Sequence, residues 1–162
     1  MCEYCGCREV PAIAELMDEH TALMEQAHLV RQDLGAGDDA AAMARLRDLV
    51  TGLDRHMARE EAGIFRAIRS SGEFVDEIDA LEGEHRDFSV EVAALAPGTP
   101  GFADRVRSLL DDLGVHVERE DLGIFPVSVV TLGATGWAVV EAAHEDSPSF
   151  LHDTGTHPRP PT

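Results

Sequence analysis

The chain has 162 residues, of which 44% are apolar, 27% charged and 5% aromatic. That is enough chain for one well-filled core, so neither disulfides nor a metal are needed merely to fold it. Its formal net charge is -18, and all 13 basic residues are Arg, because the sequence contains no Lys. Such a surface repels phosphate backbones and anionic membranes, which argues against nucleic acid or membrane as partners.

The chain opens with Cys2, Cys5 and Cys7, all its cysteines, too close together for a bridge among them to staple the fold. The start lacks a basic stretch followed by an apolar one, so no signal peptide is expected, and a reducing cytoplasm fits best. Apolar residues then recur at intervals of three and four over four segments, which predicts an all-α chain. Helix one is expected from Val10 to Asp33, with Pro11 in its first turn, and helix two from Ala40 to Ser70, capped by Asp38 or Asp39. Helix three follows from Phe74 to Ala96 and helix four from Phe102 to Val130, with Pro126 expected to kink or end it. Short connections imply an up-down-up-down four-helix bundle. The uncharged run from Leu122 to Val140 is long enough to span a bilayer, but its Pro, Gly, Ser and Thr content reads as a helix ending on a protein surface. A short fifth helix is expected from Gly136 to His144, and the tail from Asp146, with His152 and His157, as disordered. The organisation is thus 1–9 as a Cys-rich segment, 10–132 as the bundle and 133–162 as short helix and flexible tail.

Helices two and four match at an offset of 60 residues, where His56, Arg59, Glu60, Gly63, Ile64 and Phe65 recur as His116, Arg119, Glu120, Gly123, Ile124 and Phe125. Helices one and three match at an offset of 65, where Glu19 and His20 recur as Glu84 and His85. The chain is two copies of a helical hairpin. Positions i and i+4 share a helix face, so His56 converges with Glu60 and His116 with Glu120. Both pairs continue the apolar stripes of Leu46, Leu49, Val50 and Leu53 and of Val106, Leu110 and Leu113, which turns them into the bundle. A buried carboxylate without a partner is strongly unfavourable. Four His and two Glu at one level of a bundle are compensated by two multivalent cations, so His20, His56, Glu60, His85, His116 and Glu120 are read as a dinuclear metal site. Against this, a lone His on an apolar face is more often a hydrogen-bonded core residue, and it is the repetition in register that favours ligation. Arg59 and Arg119 are expected to be solvated, the Ile-Phe pairs to be ordinary core, and Glu19 and Glu84 to be either surface acids or partners orienting the His ligands.

The order His20, His56-x-x-x-Glu60, His85, His116-x-x-x-Glu120, then Gly-Ile-Phe-Pro, resembles the hemerythrins over Val10 to about Val130, in particular the bacterial HHE cation-binding domains. The cysteine-bearing start resembles that of actinobacterial members. The resemblance implies a four-helix bundle around two non-haem irons, oxo- or hydroxo-bridged, with Glu60 and Glu120 as bridging carboxylates and His as terminal ligands. It differs from the oxygen carriers, which place a second His where Ser89 stands and space the last carboxylate five residues from its His. The more symmetric site would leave an open position on each iron, for which Tyr4, Met24 and His28 are further candidates. The cysteines are either reactive thiols, a three-sulfur zinc site completed by one His, or a plain tail.

The function so expected is binding of, and reaction with, hydrogen peroxide, dioxygen or nitric oxide in stress defence, with catalase-like peroxide turnover as an open question. Rival readings are a non-catalytic oxygen, iron or redox sensor, and a protein of iron storage, delivery or repair. A ferritin-like oxidase needs Glu-x-x-His on two core helices, and only Glu82-x-x-His85 qualifies. Zinc or manganese suits the same ligands, since affinity order alone does not select iron.

Overall fold

The computed structural model describes residues 6–153. Tyr4, Cys2, Cys5 and His157 therefore lie outside the described residues. After a 3-10 turn at Cys7–Glu9, helix α1 spans Pro11–Gly35 with Pro11 at its first position. Helix α2 begins at Asp39, where the Asp38 side chain caps it by accepting the Ala41 N–H at 2.9 Å. It runs as α-helix over Asp39–Glu60, widens into a π-helical turn at Glu61–Phe65 and resumes over Arg66–Ser71 before the left-handed Gly72 ends it. Helix α3 spans Val75–Ala93. Helix α4 repeats the pattern of α2, with α-helix over Phe102–Arg119, a π turn at Glu120–Ile124 and α-helix again over Phe125–Thr131. Helix α5 spans Ala134–Asp146.

Pro126 does not end helix α4. The hydrogen-bond register resets at the π turn, so Pro126 falls in the first turn of the resumed α-helical segment, where an amide lacks an intrahelical partner and the missing N–H costs little. The disorder expected from Asp146 is also corrected as far as the described residues reach. Ser149 is buried, Phe150 packs on the core, and Phe150–His152 forms a 3-10 turn.

The core falls into two apolar clusters. One is built on Leu23, Leu46, Leu49, Leu53, Phe102, Val106 and Leu110, the other on Ile13, Leu16, Ile64, Phe65, Ile78, Leu81, Phe125 and Val140. Between them lies a buried polar layer of His20, His56, Glu60, His85, His116 and Glu120. Apolar periodicity above and below this layer fixes the rotation of each helix, and so points its six polar side chains at the bundle axis. Among the described residues, no helix is long and apolar enough to cross a membrane.

Candidate metal centre

All six predicted residues meet. They form two groups of four, His20, His56, Glu60 and Glu120 on one side and Glu60, His85, His116 and Glu120 on the other, with the potential ligand atoms of each group within 4.8 Å of one another. Both carboxylates belong to both groups. Oε1 of Glu60 lies 3.2 Å from His56 Nε2 and 3.8 Å from His20 Nε2, while its Oε2 lies 3.6 Å from His85 Nε2. Glu120 does the converse, with Oε2 3.2 Å from His20 Nε2 and Oε1 3.1 Å from His116 Nε2 and 3.9 Å from His85 Nε2.

What turns every Nε2 inward is a carboxylate on every Nδ1. His56 Nδ1 lies 2.6 Å from Glu19, His116 Nδ1 2.7 Å from Glu84, His20 Nδ1 2.8 Å from Asp121 and His85 Nδ1 2.9 Å from Glu61. A carboxylate accepts, so each Nδ1 carries a proton, and each imidazole presents an Nε2 lone pair to the centre once that nitrogen has given up its own proton. This is the arrangement by which carboxylates hold metal-binding imidazoles. Glu19 and Glu84 thus take the orienting role, each reaching a His of its own hairpin. Asp121 and Glu61 were missed by the sequence reading, and each reaches across to the other hairpin. The signal for them was present as acidic doublets in register, Glu60-Glu61 and Glu120-Asp121, both at the start of a π turn. Such turns gather at functional sites because the widened turn re-aims successive side chains.

The rings are held from outside as well. Phe125 stacks on His20 with centroids 5.5 Å apart, and Phe65 on His85 at 5.7 Å. Phe65 and Phe125 are therefore walls of the centre and not only core.

The donor set fits a cation. Both oxygens of Glu60 and Glu120, and the Nε2 atoms of His20 and His56, are buried with no hydrogen-bond partner. The Nε2 atoms of His85 and His116 face each other at 3.0 Å, a contact that two lone pairs cannot satisfy without a proton or a cation between them. The same demand for positive charge shows in the electrostatics of the metal-free site. Burial opposes ionisation of His56, but the nearby charge of Glu60 and the hydrogen bond to Glu19 outweigh it and push the imidazole up to about 10. Likewise burial opposes the charged form of His116, but Glu120 and Glu84 push it up to about 9. Glu120 is held well below the usual carboxylate range, burial being overcome by His116 and His20. These imidazoles carry the sign of charge that a bound cation would replace.

Arg59 is not solvated as expected. Its side chain is buried and paired with Glu19 and Glu15, and His144 Nδ1 accepts from its Nη2 at 2.8 Å. The helix α5 residue His144 thus backs a chain of contacts ending at His56. Arg119 pairs with Glu84 and Glu77 at the surface. The further candidates Met24 and His28 line a cavity with His20 and Asp121 but join neither ligand group. His28 is exposed with its Nε2 2.9 Å from Gln32 Nε2, and Met24 packs on the apolar cluster, beside His20 but outside both ligand groups. Cys7 is buried and disulfide-bonded, so its sulfur is neither a free reactive thiol nor a zinc ligand.

The family model of the hemerythrin HHE cation-binding domain matches residues 12–128. The chain belongs to that family, a metal-binding one by its description, and its His and Glu clusters are able to hold metal. No curated protein and no solved structure was found to match.

Proposed function

We propose that this protein is a non-haem di-iron protein that binds and reacts with a small oxidant, hydrogen peroxide, dioxygen or nitric oxide, in oxidative or nitrosative stress defence. The observation that carries the reading is the sharing of Glu60 and Glu120 between two four-residue groups, each completed by two imidazoles. His20 and His56 would hold one iron, His85 and His116 the other, and the two carboxylates both. Bound iron supplies two adjacent Lewis-acidic, redox-active centres at which a small oxidant binds and exchanges electrons.

The chain's own residues supply the rest. Glu19, Glu61, Glu84 and Asp121 hold the proton on each Nδ1 and fix the imidazole planes, so that ligand nitrogens stay in place through a change of charge at the centre. Phe65 and Phe125 stack on one imidazole of each pair and exclude water from that side. Glu61 and Asp121, with side chains 43% and 27% exposed, join His85 and His20 to solvent and offer an outlet for protons. The buried Glu19 gives His56 no such outlet.

The test is metal analysis of protein purified from iron-supplemented medium, with absorption spectra before and after hydrogen peroxide. About two irons per chain, charge-transfer bands and oxygen evolution are expected. Spectral change without turnover would assign a binder or sensor, and zinc or no metal would overturn the redox reading. His56→Ala and Glu120→Ala should each lose iron and peroxide turnover, while Cys5→Ser keeps the metal.

A further inference from the structure

Helices α2, α3 and α4 line a cavity of about 430 Å³ that has no counterpart in the oxidant chemistry proposed above. Its body is apolar, lined by Leu53, Met57, Phe88, Leu109 and Leu113, and its inner end is formed by His85 and His116. Volume decides what belongs there. A water occupies roughly 30 Å³ of liquid, and a two-heavy-atom oxidant is of similar order. Cavities of roughly 300–1,000 Å³ are the size that houses organic ligands.

Charge at the rim narrows the class. Asp87, Glu91 and Asp112 stand there with one guanidinium, that of Arg105, whose Nη2 lies 3.9 Å from Glu91 Oε2. Asp87 and Asp112 have no ion pair among the described residues and are exposed. Their field, within a chain of net charge -18, repels fatty acids and other anions and attracts cations.

We propose that this cavity is a binding site for an amphiphilic organic cation, an aliphatic or arylalkyl amine. Its apolar body lies among Leu53, Met57, Phe88 and Leu113, and its ammonium group remains at the acidic rim. The site abuts one half of the metal layer only, so a bound amine sits against the His85–His116 side and leaves the His20–His56 side untouched. This goes beyond the di-iron reading and holds whichever metal the centre takes.

The test is calorimetry on the metal-loaded protein with three probes that share a body and differ in head group: octylammonium, 1-octanol and octanoate. Octylammonium is expected to bind once per chain, and octanoate at least about tenfold more weakly, with octanol between them. Ser108→Trp, at an exposed rim position on α4, should fill the cavity and abolish binding with metal content unchanged. Asp112→Asn should weaken octylammonium several-fold and leave octanol unchanged. Equal binding of octanoate and octylammonium, heats that survive Ser108→Trp, or no binding of any probe would overturn the proposal. Metal content, measured on the same samples, reports separately on the di-iron reading.

Discussion

The two halves of the metal layer carry the same residues in different surroundings. Around His56, the Glu19 and Arg59 side chains are both fully buried, covered by α5 and the segment that follows it. Around His116, the equivalent Glu84 and Arg119 side chains are 40% and 33% exposed. The Glu19–Arg59 flank of the first half is covered by chain that lies outside the repeat, while His116 opens beside one cavity and His20 beside another, lined also by Met24, His28 and Asp121. A duplicated sequence can therefore provide one set of ligands twice, while unrepeated sequence decides which flank of the layer is covered. The glycines of the π turns show the cause. A Cβ on Gly63 would meet Ala143 Cβ of α5 at 3.3 Å, whereas one on Gly123 would meet nothing within 4 Å.

The largest contrast is expected between Arg59→Ala and Arg119→Ala. Removing Arg59 leaves the buried Glu19 with His56 as its remaining charged partner, which is expected to cost about 3 kcal/mol in chemical denaturation. Removing the surface-exposed Arg119 is expected to cost at most about 1 kcal/mol after solvent screening. Equal losses would show that the Arg59 flank is not covered in solution. In metal titrations, Glu19→Gln should lower affinity about tenfold or more, since it withdraws charge from a buried imidazole, and Glu84→Gln should lower it less. A reversed order would place the better-held metal on the His85–His116 side.

The pH dependence of the metal-free protein separates the halves again. His56 and His116 have folded values of about 10 and about 9 against 6.5 for the free side chain. Both are raised, so their contribution to stability is fully present below pH 6.5. It is lost as pH rises through the folded values, first through about 9 for His116 and then through about 10 for His56. Denaturation midpoints of chelated protein should fall over that range. Metal-loaded protein should lack this loss, because a ligated nitrogen has no proton to release. The smallest contrast is in the glycines: Gly63→Ala should destabilise by about 1 kcal/mol by pressing on α5, while Gly123→Ala should be neutral or stabilise by up to about 1 kcal/mol. Thermal unfolding of the pair checks this.

Much of the centre was legible because helical spacing is rigid. His56 and Glu60 must share a face, and a repeat in register at residue 116 makes chance burial of the same pair implausible. The bundle followed from four amphipathic segments joined by short connections. Glu61 and Asp121 escaped because an α-helical reading rotates the residue after an inward Glu away from the core. Only a π turn brings both neighbours to bear on the centre. Arg59 escaped because a charged residue off the apolar stripe reads as solvated until something outside the repeat covers it.

The sequence by itself determined the fold class, the two hairpins and the six residues that meet at the centre of the bundle. Those depend on local periodicity and on the cost of burying carboxylates, and both can be read along the chain. The tertiary structure alone decided that α5 docks on the first half through Gly63 and that Arg59 is buried there. It also decided that α2, α3 and α4 line a cavity beside His85 and His116. These depend on where chain distant in sequence comes to rest, which no spacing within a helix encodes.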